Sequence, residues 1–549
     1  MKRVALGLLA LSVSSALMAA TPKFDGARIS ADVKELASDA YEGRSPATAG
    51  EEKTIAYLSK QFADAGLQPG GDLKDGKRLW TQAVPLRKGD IVGAPQLALH
   101  QGGKTVALEQ GKQIAVRAAM NGASNVDISK APLVFLGYGV KAPERNWDDF
   151  KGVDLKGKIA VVLINDPDFE TGQGDFDGKG MTYYGRWTYK YEEGARQGAL
   201  GVLIVHETAP ASYGWATVAG SNTNTMFDVV RDNPADSHPL LEGWIQRDLA
   251  VELFRSAGQD FEALKKKAQQ RDFTPVPLTG ASLDAKYAVK TEVITSHNVA
   301  ARLEGSSHRD ETIIYSAHWD HIGVGEPDAR GDRIFNGALD NASGTASLIE
   351  LARGFAKQKR PQRSVVFLAV TAEEKGLLGS EYYATHPLYP LEKTVAVINM
   401  DGMAPFGPSR DFGIYGAARF ELLDQLKDVA KGWDIRYTPD PKPEAGLFFR
   451  SDHFPFAKRG VPALSWSAGQ DWVDGGVAAG KKASEDYTAK RYHQQGDEWQ
   501  PDWVFAGAAR DLEVLYTLGN QLANSRSWPN WSRDESFRAV RDASADQRK

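Results

Sequence analysis

The chain has 549 residues, enough for roughly two to four domains at about 150 residues each. Hydrophobic residues make up 42% and charged residues 25%, which excludes collagen-like, fully disordered and polytopic membrane classes. Lys and Arg number 66 against 71 Asp and Glu, so the net charge of −5 gives no indication of a nucleic-acid surface. Zero Cys excludes disulfides, thiol nucleophiles, iron–sulfur clusters and Cys-ligated zinc. A bound metal must therefore use His, Asp, Glu, backbone carbonyls or water.

The first twenty residues have the pattern of a Sec signal peptide. Lys2 and Arg3 precede an apolar stretch over 4–18, and Ala19-Ala20 stand before Thr21. The apolar run is shorter than the ~20 residues that a membrane-spanning helix needs. Without a following Cys, lipoprotein anchoring is excluded. We expect a periplasmic or secreted protein that begins near Thr21 and has no membrane anchor.

The remaining chain divides into an amphipathic helix, a β-rich module and a region of alternating strands and helices. A helix is predicted at 50–65, and short strands are predicted at 132–137, 158–164 and 201–205. From about residue 290, strands at 311–318, 363–372 and 394–403 alternate with helices at 341–358 and 376–386. This alternation predicts an α/β fold with a mostly parallel central sheet, whose ligands bind at the carboxyl ends of the strands. The charged tail, 526–549, gives no clear prediction.

Two common catalytic motifs and a nucleotide-binding motif are absent. The sequence contains neither G-x-S-x-G nor H-E-x-x-H. The segment 152–159 nearly matches a phosphate-binding loop, but Ile159 stands where Ser or Thr is needed. A serine hydrolase of the α/β type, a zinc-helix protease and a nucleotide-binding protein are therefore disfavoured.

Acidic and histidine residues follow three successive predicted strands. Taken singly, each has an ordinary explanation: a polar strand end, a helix N-cap, or two exposed carboxylates. Because parallel strands end at the same edge of a sheet, we expect these side chains to lie together. The residues are His318, followed by Asp320; Asp340, before a helix; Glu373 and Glu374; Asp401; and, late in the chain, His493.

Such a set has the composition of a site for two divalent cations. Two cations ~3.5–4 Å apart need several anionic oxygens and imidazoles, with one carboxylate bridging them to offset their repulsion. One further carboxylate must stay off the metal to accept a proton from water.

The chain resembles the di-zinc exopeptidases that include bacterial leucyl aminopeptidases, aminopeptidase Y and glutamate carboxypeptidase II. The resemblance rests on five motifs in the family order: H-x-D at 318–320, G-A-x-D-N-A-S-G at 337–344, E-E at 373–374, N-x-D at 399–401 and Y-H-x-x-x-D at 492–497. It covers about 290–525. Residues 131–285 resemble a protease-associated domain, which is commonly inserted in such peptidases.

The resemblance implies a zinc exopeptidase fold, two Zn²⁺ and a role for each site residue. His318 and Asp401 are expected to bind one zinc, Glu374 and His493 the other, and Asp340 both. Glu373 is expected to be the general base, and Asp320 to hold the His318 imidazole. His453, in the motif S-D-H-x-x-F, is expected to have a substrate-side or structural role.

The resemblance also implies a domain organisation and an activity. Residues 1–20 are the predicted signal peptide, 21–130 the N-terminal part of the peptidase domain, 131–285 the inserted β-rich module, 286–525 the catalytic domain and 526–549 a tail. The leading hypothesis is an aminopeptidase acting on peptides, with no nucleic-acid partner. A zinc carboxypeptidase of the same family and a non-catalytic, receptor-like binding protein remain the alternatives.

Overall fold

A large mixed β-sheet forms the framework of the protein. The structure is a computed structural model and describes residues 21–548. The predicted signal peptide lies outside the described residues. The sheet is continuous from the catalytic strands to the strands of the predicted inserted module.

The helices and strands of the described residues are numbered in chain order. The α-helices are α1 Gly26–Leu36, α2 Ala49–Asp64, α3 Trp187–Arg196, α4 Thr208–Ala211, α5 Trp215–Thr223, α6 Arg247–Ser256, α7 Phe261–Lys267, α8 Ser343–Ala356, α9 Leu378–Thr385, α10 Glu421–Ala430, α11 His453–Lys458, α12 Gly476–Lys490, α13 Ala506–Ala523 and α14 Arg538–Ala543. The strands are β1 Gln68–Pro69, β2 Leu73–Lys74, β3 Lys77–Arg78, β4 Thr81–Gln101, β5 Lys104–Leu108, β6 Ile114–Val116, β7 Asn125–Phe135, β8 Lys141–Ala142, β9 Trp147–Asp148, β10 Ile159–Leu163, β11 Gly201–His206, β12 Met226–Val229, β13 Leu241–Gln246, β14 Val276–Leu303, β15 His308–His318, β16 Gly323–Val324, β17 Ile334–Phe335, β18 Arg363–Val370, β19 Thr394–Met400, β20 Asp411–Ile414, β21 Arg436–Tyr437 and β22 Ala463–Ala468.

The catalytic half of the sheet is mostly parallel. β15 pairs in parallel with β18 on one side and with β19 on the other, and β19 pairs in parallel with β22. β14 and β20 add antiparallel neighbours. Every residue of β18 and β19 is buried, as expected for strands whose two faces are both covered. The predicted fold class, α/β with a mostly parallel central sheet flanked by helices, is confirmed.

The N-terminal helices pack in the catalytic core. Ile29 and Val33 of α1 and Leu58 and Phe62 of α2 are fully buried in the same hydrophobic core as Leu348 of α8. Each helix has an apolar face, and that face must be buried against other elements of the fold. The chain therefore returns to this core after residue 290.

A second hydrophobic core belongs to the module. Four of its strands, β7, β10, β11 and β13, run parallel. This core takes residues from Leu97 to Val289, so it begins well before the boundary expected at 131. The physical reason is that β4 pairs with β14 along most of its length, and the chain passes between the two units in the middle of these strands rather than through a loop.

The tail is part of the folded protein. It contributes α14, and the Trp531 side chain is 1% exposed and donates its indole N–H to the Gly460 carbonyl at 2.9 Å. Phe537 stacks against Phe448. Between residues 21 and 548, no helix is long and apolar enough to cross a membrane.

Candidate metal centre

Three parallel strands deliver the predicted donors to one edge of the sheet. His318 is the last residue of β15, Asp401 directly follows β19, and Glu373 and Glu374 follow β18 after a two-residue turn. The expected convergence of these side chains is therefore present in the fold.

The donors form two groups that share one carboxylate. In the first, the His318 Nε2 lies 3.3 Å from Asp340 Oδ1 and 3.3 Å from Asp401 Oδ1. The second consists of His321, Asp340 and Glu374. Within each group the possible ligand atoms all lie within 4.8 Å of one another, so each group can surround one cation, with Asp340 between the two.

His493 joins the second group from the far end of the chain. Its Nε2 lies 3.2 Å from Asp340 Oδ2 and 3.1 Å from Glu374 Oε2. The Tyr492 ring stacks on its imidazole, with the ring centroids 4.0 Å apart. All five residues predicted as metal ligands therefore lie together.

His321 is a further donor that the sequence reasoning left without a role. It is fully buried, and its Nδ1 lies 2.6 Å from Glu374 Oε1, yet the two atoms are not aligned as a hydrogen bond and neither has another partner. A buried imidazole and carboxylate in close contact without a hydrogen bond are free to face a third, cationic group. The signal for His321 was its place one residue after the H-x-D motif.

These residues fit a pair of divalent cations. The donors are imidazole nitrogens and carboxylate oxygens, which Zn²⁺ binds. Negative charge is concentrated in a buried place, at Asp340, Glu374 and Asp401. Such an arrangement is unfavourable without a compensating positive charge. The buried atoms of His321 and Glu374 that lack a hydrogen-bond partner also indicate that a cation belongs at this place.

Asn341 and Gly344 bring Asp340 close to Asp401. The Asn341 amide donates to the Met400 carbonyl at 3.0 Å and accepts from the Gly344 and Gly402 N–H groups. A Cβ on Gly344 would lie 2.4 Å from the Met400 oxygen, so only glycine allows the start of α8 to approach the end of β19 so closely.

Two buried side chains hold the loops that carry the donors. Arg44 donates to the carbonyls of Trp319 and Gly337, at 2.8 and 2.9 Å. Asp497 accepts the N–H groups of Leu339 and Asp340, the latter at 3.0 Å. Sequence reasoning missed the role of Arg44 because a side chain that bonds backbone carbonyls leaves no motif.

Asp320 contacts the site differently from the expectation. The His318 Nδ1 lies 3.1 Å from the backbone oxygen of Asp320 and 3.8 Å from its carboxylate. The carboxylate instead accepts the Glu373 N–H at 3.0 Å and the Glu374 N–H at 3.4 Å. Asp320 thus contacts His318 through its main chain and fixes the turn after β18 through its side chain.

The environment separates the protonation behaviour of the two adjacent glutamates. Burial raises the pKa of Glu373 well above its usual value. Burial and Asp340 also act to raise the pKa of Glu374, but His321 and His493 outweigh them and lower it to about 2. Neighbouring carboxyl groups with such different proton affinities are typical of a division into proton carrier and charged ligand.

His453 lies apart from both donor groups. It is fully buried, its nitrogens have no hydrogen-bond partner, and burial lowers its pKa to about 3. Its ring packs edge-on against Phe448 at 4.6 Å. From the sequence, either a substrate-side or a structural role is expected for His453. A neutral imidazole in an aromatic core fits the structural role.

Comparisons with known proteins identify a peptidase family over the part of the chain that carries these residues. The sequence pattern of peptidase family M28 matches residues 298–516. The predicted resemblance to the metal-dependent exopeptidases is therefore confirmed. The matched segment contains every predicted site residue, from His318 to His493.

Two relatives match parts of the chain. A mouse protein, aminopeptidase NAALADL1, is 31% identical over 200 residues, which cover 32% of this chain and 24% of the relative. A probable zinc metalloprotease of Pyrenophora teres f. teres is 39% identical over 103 residues, which cover 19% of this chain and 22% of the relative. The chain thus spans about a quarter of the length of these relatives.

One solved structure is similar over nearly the whole chain. An aminopeptidase from Aneurinibacillus sp. strain AM-1 aligns with a TM-score of 0.50 and 19% identity, covering 92% of this chain and 95% of the other. At 19% sequence identity, this structural similarity is evidence for the fold alone.

Proposed function

We propose that the protein is an exported zinc-dependent aminopeptidase that removes N-terminal residues from peptides. The observation that carries the proposal is the pair of donor groups that share Asp340. The match of residues 298–516 to peptidase family M28 supports it. The inserted module, 131–285, is proposed to be a protease-associated domain, and export depends on the predicted signal peptide.

The residues divide into metal ligands and a proton carrier. His318 and Asp401 are proposed to hold one Zn²⁺, Glu374 and His493 the other, and Asp340 both, with His321 beside Glu374. When bound, a zinc pair polarises a carbonyl and lowers the pKa of water.

Glu373 is proposed to move the proton. In the described part of the chain, its N–H is held by Asp320, while no hydrogen bond engages its carboxylate. That carboxylate takes a proton from the attacking water and returns it to the leaving amine. Asp320 acts as a positioning residue, because it fixes the main chain that carries Glu373.

Glu373→Gln tests the assignment. The substitution keeps the shape of the side chain and removes its basicity, so zinc content is expected to stay as in the unmodified protein. Hydrolysis of leucine p-nitroanilide is expected to fall about 100-fold or more. Near-normal turnover with full zinc content removes Glu373 from this role.

Two alternatives are separated by the choice of substrate. A carboxypeptidase cleaves N-acetylated peptides with a free carboxyl end and leaves leucine p-nitroanilide intact. A receptor-like protein cleaves neither. An aminopeptidase shows the reverse of the carboxypeptidase pattern, and N-acetylation abolishes cleavage.

A further inference from the structure

A buried glutamate of α2 bonds to the strand β14. Glu51 lies in the first turn of α2 and is 3% exposed. Its Oε1 lies 2.8 Å from His297 Nδ1, and its Oε2 accepts the Ser296 hydroxyl at 2.7 Å. Oε2 also accepts the Ala47 N–H, which is a local contact at the helix start. Burying a carboxylate costs free energy, so the two contacts with β14 call for a reason beyond the helix start.

Ser296 extends this contact to the end of β18. Its hydroxyl oxygen lies 2.6 Å from that of Thr371, and both side chains are fully buried. Because Ser296 donates its proton to the Glu51 carboxylate, the Thr371 hydroxyl must be the donor to Ser296. Glu51, Ser296 and Thr371 therefore form one series of hydrogen bonds with a fixed direction, called here the Glu51 network.

The main chain of Thr371 is held as well. Its N–H donates to Asn298 Oδ1 at 3.0 Å, and its carbonyl accepts the Gly379 N–H at 2.9 Å. Thr371 directly follows β18, and Glu373 lies two residues further along the chain. The Glu51 network therefore ends at the turn that carries the proposed proton carrier.

The turn between Thr371 and Glu373 is strained. Ala372 has a φ of 54°, in the left-handed region that residues with a Cβ rarely adopt, and it is fully buried. Such a conformation persists only where the surrounding structure holds it. Asp320 holds the turn after Ala372, through the Glu373 N–H, and the Glu51 network holds it before Ala372.

We propose that Glu51 is a positioning residue for Glu373, which acts through Ser296 and Thr371 on the main chain of the turn. The inference rests on the proposed role of Glu373 in peptide hydrolysis. A general base must lie within hydrogen-bond reach of the proton it takes, and a displacement of about 1 Å costs about 100-fold in rate. The contacts of Glu51 in residues 21–548 include no hydrogen bond or ion pair with a predicted metal ligand, so its effect passes through the turn.

Three substitutions interrupt the network at different points. Glu51→Gln weakens the acceptor, Ser296→Ala removes the central hydroxyl, and Thr371→Val removes the last hydroxyl while it keeps the shape of the side chain. Each is expected to lower kcat for leucine p-nitroanilide about 10- to 100-fold, with KM and zinc content unchanged, because the base acts in the transition state. Thr371→Ser keeps the hydroxyl and is expected to retain most of the rate.

Thr312→Val is the matched control. Thr312 is also fully buried, and its hydroxyl pairs with that of Thr394 at 3.1 Å. Both residues lie towards the amino ends of their strands, β15 and β19, away from the edge that carries the metal donors. Thr312→Val is expected to lower the midpoint of thermal unfolding about as much as Thr371→Val and to keep kcat. An equal loss of kcat in the two variants overturns the proposal.

A Glu373→Gln background separates positioning from a general structural effect. If Glu51 acts through Glu373, Ser296→Ala lowers the residual rate of Glu373→Gln by less than about twofold, although it lowers the rate of the unmodified protein about 10- to 100-fold. Equal losses in the two backgrounds overturn the proposal.

Hydrogen exchange gives a measurement that needs neither metal nor catalysis. In the chelator-treated protein, the backbone amides of 371–376 are expected to exchange about 10-fold faster in Ser296→Ala and Thr371→Val than in the unmodified protein and in Thr312→Val. Near-normal turnover of Glu373→Gln removes the proposed role of Glu373 itself. A large loss of turnover in Glu373→Gln, with unchanged rates and unchanged exchange in the network variants, overturns only the positioning by Glu51.

Discussion

Hydrogen bonds to the carboxylates proposed as metal ligands determine how well the candidate centre is organised. Asp401 accepts a hydrogen bond from Ser451, which in turn accepts one from the Asn399 amide at 2.8 Å. Asn399 is the last residue but one of β19 and lies two residues before Asp401. The orientation of this ligand is therefore fixed by the same strand that presents it.

Ser451→Ala is expected to weaken zinc binding about 10- to 100-fold, because the Asp401 carboxylate loses the group that orients it. Zinc affinity is measured by competition with a chromogenic chelator. Ser380→Ala is the control: its hydroxyl also donates to a buried carboxylate at 2.6 Å, but that of Asp452, which belongs to neither donor group. Equal loss of affinity in both variants contradicts the assignment of Asp401.

Histidines on two sides of Glu374 differ in how the sequence reveals them. His493 lies within a recognisable motif, whereas His321 stands just outside one and becomes a candidate through its 2.6 Å contact with Glu374. We expect His493→Ala to reduce bound zinc from two ions to about one per chain after dialysis, since the second group loses a nitrogen donor. Retention of two ions shows that His321 alone supplies the nitrogen on this side.

At the scale of elements, local patterns predicted the catalytic strands and helices well. The strand predicted at 311–318 extends over 308–318, and the helix predicted at 341–358 covers 343–356. These elements carry a regular apolar periodicity, which is a local property of the sequence. His318, the two glutamates and Asp401 were found for the same reason, since they lie at the ends of these strands.

The long strands β4 and β14 could not be predicted in the same way. Thr81–Gln101 contains Gly, Pro and several charged residues, and its pairing partner lies almost two hundred residues further along the chain. Such a pairing is a tertiary property that no local pattern reports. The role of Arg44 was missed for a similar reason, because it depends on contacts between distant segments.

Tail residues bury aromatic surface against the catalytic unit. Trp531→Ala is expected to lower the free energy of unfolding of that unit by about 3–5 kcal/mol, because it leaves a large cavity and an unpaired Gly460 carbonyl. Denaturant titration measures this change. Val540→Ala, in the same tail but 46% exposed, is expected to stay within about 0.5 kcal/mol. Similar values for both variants contradict a structural role for the tail.

At the scale of the whole molecule, a buried ionic cluster ties the module to the catalytic unit. His238 lies between Asp228 and Glu242, and Arg231 connects Asp228 to Glu381 of α9, at 3.7 Å from the latter. Burial acts to lower the pKa of His238, but the two carboxylates outweigh it and raise the pKa to about 9.

This cluster predicts a pH dependence of stability. A histidine whose pKa is raised on folding contributes fully below its unfolded pKa of about 6.5 and loses the contribution as pH rises through about 9. The midpoint of thermal unfolding is therefore expected to fall between pH 6.5 and 9. His238→Gln, which cannot titrate, is expected to flatten this part of the profile. A fall of the same size in the variant shows that other groups cause it.

The two donor groups are proposed to hold two cations bridged by Asp340. The most direct test of this proposal is anomalous diffraction at the zinc absorption edge from crystals of the zinc-loaded protein. Two peaks are expected, one among His318, Asp340 and Asp401 and one among Asp340, Glu374 and His493, beside His321. A single peak, or peaks away from Asp340, contradicts it.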